Sequence, residues 1–73
     1  MKKSIYSKEY EYLVSQLKKA RLEAGLTQVK VSKLLKKSQS NISKIEKGQI
    51  RLDVIQLRVY AKLYKKDLNY FLR

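Results

Sequence analysis

The chain has 73 residues and a formal net charge of +12, because 18 Lys and Arg residues outnumber six Asp and Glu residues. This length allows one hydrophobic core, and a hydrophobic content of 44% is typical of a globular protein. The absence of Cys and His excludes disulfides, thiolate chemistry and most zinc sites, and the six acids form no pair of catalytic spacing. We therefore expect a cytoplasmic, non-enzymatic protein without cofactor or metal. Its charge favours a polyanionic partner, nucleic acid first and an acidic membrane surface or protein second.

The N-terminal region is predicted to comprise an arm at residues 1–6 and the first helix of a domain spanning residues 7–73. No apolar run reaches the roughly 18 residues of a membrane span, and charges interrupt any signal-peptide core. The helix is predicted from Lys8 to Ala24, with Ser7 as its cap and Gly25 as its stop. Its apolar residues recur at spacings of three and four and so form one face: Tyr10, Leu13, Val14, Leu17, Ala20 and Ala24.

Two short helices separated by a polar turn are predicted in the centre of the chain. Helix 2 covers residues 28–35 after the cap Thr27, and helix 3 covers residues 39–47 between the cap Ser38 and the stop Gly48. Two short helices joined in this way form the unit that many proteins use to read DNA. Their apolar residues are Val29, Val31, Leu34 and Leu35 in helix 2, and Ile42 and Ile45 in helix 3.

Positive charge is concentrated in this central region. Between Gly25 and Leu52 there are seven basic residues and one acid, Glu46. Helix 3 otherwise presents Gln, Ser, Asn and Lys, which are side chains that bond base edges and phosphates. The same polarity would also suit an ordinary surface helix.

A fourth helix is predicted from Val54 to Tyr64 with Asp53 as its cap, and a short fifth helix after Asp67. Helix 4 carries apolar residues on two sides, which indicates a contact on each. The stripe expected in the core comprises Val54, Leu57, Tyr60, Ala61 and Tyr64. The second stripe comprises Ile55, Val59 and Leu63.

The order of these features resembles the DNA-binding domain of phage repressors and Cro proteins, the Xre-type helix-turn-helix family. The resemblance covers residues 13–72 and rests on Arg21, on GLTQ at 25–28, on SQSNISKIEKG at 38–48 and on RLDVIQL at 51–57. It implies an all-α, compact five-helix bundle of the lambda-repressor type. It also implies a bacterial or phage-encoded regulator that binds double-stranded DNA.

The resemblance assigns roles to individual residues, with helix 3 as the recognition helix. It implies a structural ion pair between Arg21 and Glu46, and a Gln28 that contacts phosphate and braces the start of helix 3. The base-contacting residues would be Gln39, Ser40 and Lys44. The phosphate-contacting residues would be Gln28, Ser38, Asn41, Ser43, Lys47, Gln49 and Arg51.

Three residues of helix 2 and the turn depart from the family pattern. Lys36 stands where the family usually has Gly, and is expected to adopt a left-handed conformation at a cost of about 1 kcal/mol. Ser32 replaces the usual Ala, and Lys37 replaces an apolar residue. Both lysines add positive charge where DNA would lie.

Two questions stay open at the level of sequence. The second stripe of helix 4, with Tyr70 or Phe71, is predicted to form a homodimer contact on a palindromic site, or else to pack under Tyr6 and Tyr10 of the same chain. The function is predicted to be that of a repressor-like regulator. The alternative is an interaction module, such as an antitoxin-like partner protein, which would carry apolar or acidic residues on helix 3.

Overall fold

The computed structural model describes residues 7–72, and all regular structure within that range is helical. The predicted arm at residues 1–6 lies outside the described range. The elements are α1 (Lys8–Glu23), α2 (Gln28–Leu35), α3 (Gln39–Glu46), α4 (Val54–Tyr64) and a 3-10 turn (Leu68–Phe71).

The short fifth helix predicted after Asp67 is present only as the 3-10 turn, so the five-helix count is not confirmed: the described residues form four α-helices and this turn. The N–H of Tyr70 donates to the carbonyl of Asp67 at 2.9 Å, and the N–H of Leu72 donates to that of Asn69 at 3.2 Å. These bonds span three residues, which is the 3-10 pattern. Leu72 is already extended, so the turn ends at Phe71.

Each α-helix begins at a side chain that accepts a hydrogen bond from the N–H three residues later, at 2.8–3.1 Å. At α4, the side chain of Gln56 also accepts from the N–H of Asp53, which completes a capping box. The four predicted caps are therefore confirmed: Ser7, Thr27, Ser38 and Asp53.

Each α-helix is followed by a residue with a left-handed backbone: Gly25, Lys36, Gly48 and Lys65. At Lys36, φ is 57°, and the next N–H, that of Lys37, returns to the carbonyl of Ser32 at 2.8 Å. The left-handed conformation predicted for Lys36 is thus confirmed. Helices α1 and α3 end one residue earlier than predicted, because the residue before each glycine serves as the cap.

The core lies where α1 contacts α3, α4 and the 3-10 turn, and α2 packs against α3. Its largest fully buried side chains are Phe71, Leu17, Ile42 and Val31. The other buried members come from α1, α3 and α4, namely Ala20, Ile45, Leu57, Tyr60, Ala61 and Tyr64. Most of the apolar residues that recur at helical spacing in the sequence therefore face one core.

Several apolar residues of the predicted helices lie at the surface. Val54 is 62% exposed, because the buried face of α4 is centred about 70° around the helix from it. In α2 only one side is covered, so Val29 and Leu34 are exposed. Ala24 is also exposed, since it follows the last residue of α1.

Phe71 requires the opposite correction. Its side chain has 0% exposure, and the 3-10 turn directs it into the core with its ring at a right angle to that of Tyr70. A fully buried side chain cannot join a contact with a second copy, so Phe71 is removed from the predicted dimer surface.

Substitution of Lys36 by Gly should raise the free energy of unfolding by up to about 1 kcal/mol, since Gly adopts a positive φ without strain. The greater freedom of Gly in the unfolded chain offsets part of this gain. Urea denaturation provides the measurement. The matched control is Lys33→Gly in the interior of α2, which should lower stability by about 1 kcal/mol. A loss in both variants would contradict the strain at Lys36.

Candidate nucleic-acid interface

A buried ion pair joins α1 to the last residue of α3. The Nε of Arg21 donates to Oε2 of Glu46 at 2.7 Å, and Nη2 donates to Oε1 at 3.2 Å. The two side chains are only 8% and 6% exposed. A two-point contact of this kind fixes orientation as well as distance. It therefore sets how α3 lies against the rest of the domain.

Two further hydrogen bonds extend this ion pair to the start of α2. Nη1 of Arg21 donates to the carbonyl of Leu26 at 2.8 Å, and Nε2 of Gln28 donates to Oε1 of Glu46 at 3.1 Å. Four parts of the chain thus meet at one carboxylate and one guanidinium: α1, the α1–α2 loop, α2 and α3. The buried charges have the several partners that such groups need.

Only a narrow side of α3 faces the core. Ile42 is fully buried and Ile45 almost so, and with Glu46 they hold the helix down. The opposite side presents Ser40 and Lys44, one helical turn apart, and both are exposed. Gln39 is exposed at the first position of the helix. The structure therefore leaves a polar helix face open to a partner.

The surface around α3 is strongly positive. Glu46, the only acid between residues 25 and 52, is already paired with Arg21. The seven basic residues of that stretch are exposed or half-buried: Lys30, Lys33, Lys36, Lys37, Lys44, Lys47 and Arg51. A concentration of one charge sign beside an open helix suits a polyanion.

Residues 7–72 contain no cluster of three or more acidic side chains that could hold a metal ion. Within the same range, no helix is both long enough and apolar enough to cross a membrane.

Comparison with protein families agrees with this geometry. A family model described as helix-turn-helix matches residues 17–71, which is well over half of the chain. The chain belongs to the Xre and lambda-repressor-like helix-turn-helix family. Membership supports a DNA-binding helix-turn-helix regulator. Comparisons with curated proteins and with solved structures gave no significant match.

The side chain of Gln28 does not brace the start of α3 as the resemblance implied. Its side-chain amide contacts Glu46, at the end of α3, and not the start of that helix. The reason is that the N-terminus of α2 lies beside the buried ion pair. The side chain remains half-buried and so is not fully enclosed.

The other predicted phosphate-contacting residues differ in exposure. Exposed side chains are those of Ser38, Lys47, Gln49 and Arg51, whereas Asn41 and Ser43 are half-buried. The hydroxyl of Ser38 accepts from the N–H of Asn41 at 3.0 Å, which leaves its own proton to donate. The side-chain carbonyl of Asn41 is buried without a hydrogen-bond partner.

Two tyrosines of the helix-turn-helix domain lie close enough to the ion pair to feel its charge. Burial, with a smaller effect from the nearby Glu46 carboxylate, raises the pKa of Tyr60 to about 12. The same two causes raise the pKa of Tyr64. Both hydroxyls therefore stay protonated at alkaline pH values where an exposed tyrosine begins to ionise.

Sequence reasoning missed one residue near this surface, Tyr10. The sequence predicts Tyr10 on the apolar face of α1 or over the second stripe of helix 4, yet its hydroxyl bonds the backbone at Ile50 and Leu52, shortly after α3. A contact between residues 40 or more positions apart leaves no local pattern in the sequence. Only the fold brings these segments together.

Glu46→Ala should lower the free energy of unfolding by about 3–5 kcal/mol, because it leaves the Arg21 guanidinium buried without its partner. Glu46→Gln, which keeps hydrogen-bonding oxygen, should cost less. Thermal and urea denaturation measure both. The control is Glu23→Ala, which removes the exposed pair with Lys66 and should barely change the midpoint. Equal midpoints for Glu46→Ala and Glu23→Ala would contradict a stabilising role for the buried pair.

Proposed function

We propose that this helix-turn-helix protein is a sequence-specific transcriptional regulator, repressor-like in action, that reads the major groove of duplex DNA with α3. In this proposal Gln39, Ser40 and Lys44 contact base edges. Gln has the geometry to bond adenine, and Lys can donate to guanine. The phosphate contacts come from Gln28, Ser38, Asn41, Ser43, Lys47, Gln49 and Arg51.

The exposed face of α3 carries the proposal. It is polar and cationic, while Ile42, Ile45 and Glu46 fix the opposite side of the same helix. A rigidly held helix with exposed hydrogen-bonding side chains can enter a groove without rearrangement. An interaction module, the alternative, would need apolar or acidic residues there, and the exposed residues of α3 are Gln39, Ser40 and Lys44.

Selection of bound sites from random duplex DNA tests the function directly. We expect an enriched sequence, and on that site Gln39→Ala should cost about 1–3 kcal/mol of binding free energy while binding to random duplex hardly changes. The matched control is Gln49→Ala, a proposed phosphate contact, which should weaken binding to both duplexes alike.

Two results would contradict this proposal. Failure to enrich any sequence would remove specific readout, and equal losses for Gln39→Ala on both duplexes would remove Gln39 as a base reader. If Lys and Arg side chains of this basic surface neutralise about six phosphates, log Kobs falls with log[salt] with a slope near −5. Affinity that does not depend on salt would exclude the proposed contacts with the phosphate backbone.

We further propose a homodimer formed through α4. Ile55 is 62% exposed and Val59 is 46% exposed, so Tyr10 does not cover them as the alternative required; Tyr6 lies outside the described residues. Leu63 is half-buried against the core and Tyr70 is also partly buried, so both would lie at the edge of the contact.

Two-fold symmetry makes this stripe self-complementary. In an antiparallel contact centred on Val59, positions equally distant from the centre meet. Ile55 then lies opposite Leu63 of the other protomer, so apolar side chains meet apolar side chains. Such a dimer would bind a palindromic site.

Sedimentation velocity decides the oligomeric state. The wild type should sediment as a dimer, and a double Ile55→Asp, Val59→Asp variant as a monomer, because each copy would bring carboxylates into an apolar contact. The control is Val54→Asp, an exposed substitution on the same helix that lies outside the stripe. A monomeric wild type, or a control that dissociates as well, would rule out this interface.

A further inference from the structure

Tyr10 connects the first turn of α1 to the segment that follows α3. Its hydroxyl accepts a hydrogen bond from the N–H of Leu52 at 3.0 Å and donates to the carbonyl of Ile50 at 3.4 Å. The residue is only 7% exposed. One buried side chain thus bonds the backbone on both sides of Arg51.

Arg51 itself lies on the ring of Tyr10. Its guanidinium carbon is 4.7 Å from the ring centroid, which is within the range of a cation–π contact. A guanidinium that stacks through its face bonds through its edge, where its planar donors match a phosphate. Tyr10 therefore orients both the backbone and the side chain at this position.

The other end of the segment is attached to α3. The N–H of Gln49 donates to the carbonyl of Lys44 at 2.8 Å, and Gly48, with a φ of 78°, makes the turn between them. The segment 49–52 is therefore held to α3 at one end and to α1 at the other. Its position relative to α3 is set before any ligand arrives.

We propose that Tyr10 is a positioning residue for DNA binding: it holds residues 49–52 so that Arg51, together with Gln49, contacts the phosphate backbone. The inference rests on the proposed DNA-binding function. Without the contacts from Tyr10, residues 49–52 would have to be ordered when DNA binds, and this ordering cost would weaken binding. Because phosphates carry no sequence information, Tyr10 affects affinity and not base preference.

A double-mutant cycle on Tyr10 and Arg51 tests this. The variants are Tyr10→Phe, which keeps the ring and removes the hydroxyl, Arg51→Ala, and both together. The matched control is Tyr12→Phe, a half-exposed tyrosine two residues away on α1. Fluorescence anisotropy with a random-sequence duplex gives Kd at several salt concentrations. Melting curves give the unfolding temperature of each variant, and binding is measured well below it.

Arg51→Ala should weaken binding about 8-fold at 0.1 M salt and make the salt slope shallower by about 0.9, the contribution of one phosphate contact. Tyr10→Phe should weaken binding about threefold, a part of that contact. In the Arg51→Ala background the same substitution should have a smaller effect, and Tyr12→Phe should have none.

A Tyr10→Phe variant that melts earlier but binds with unchanged Kd and salt slope would overturn the inference, because Tyr10 would then be structural only. Equal effects of Tyr10→Phe in the presence and absence of Arg51 would overturn it too. The wild type reports separately on the proposed function: if it does not bind the duplex, DNA binding itself fails, whatever the variants do.

Discussion

The ion pair between Arg21 and Glu46 is the contact on which the position of α3 depends. An eight-residue helix is too short to be stable alone, and α3 buries only two large apolar side chains. Its last residue is held by a two-point contact from α1, and the same carboxylate receives Gln28 from α2. Because the pair is buried, substituting either residue is expected to destabilise the fold, since it leaves an unpaired charge in the interior. The pair also neutralises the only acid of the central region, so the open surface stays positive.

A second constraint acts just beyond the same end of α3. Gly48 turns the chain, and Tyr10 fixes the next few residues to α1. Helix α1 therefore holds α3 through Arg21 and the following segment through Tyr10. The side chains proposed to touch bases and those proposed to touch phosphates are thus mounted on one rigid unit. Such preorganisation favours binding because less ordering is needed when DNA arrives.

The surface of α4 differs from that of α3 in character. Apolar side chains that would ordinarily be buried, Ile55 and Val59, are exposed there. Helix α4 packs against α1 and the 3-10 turn on its other side, and within the described residues its backbone does not closely approach that of α3. A self-contact on α4 would therefore leave α3 accessible. This separation lets one small domain carry a proposed dimer contact and a proposed DNA contact at once.

The sequence by itself determined the four α-helices, their caps and the family, because these depend on short-range patterns and on residue types at fixed spacings. The Arg21–Glu46 pair and the left-handed Lys36 followed from the family resemblance. Tertiary structure alone decided which apolar residues were covered, since Val54 is exposed and Phe71 is fully buried although both are apolar. It also decided that the last element is a 3-10 turn and that Gln28 reaches the end of α3. Above all, it brought Tyr10 to Arg51, a contact across 41 residues that no local pattern encodes, because packing of the whole chain sets it.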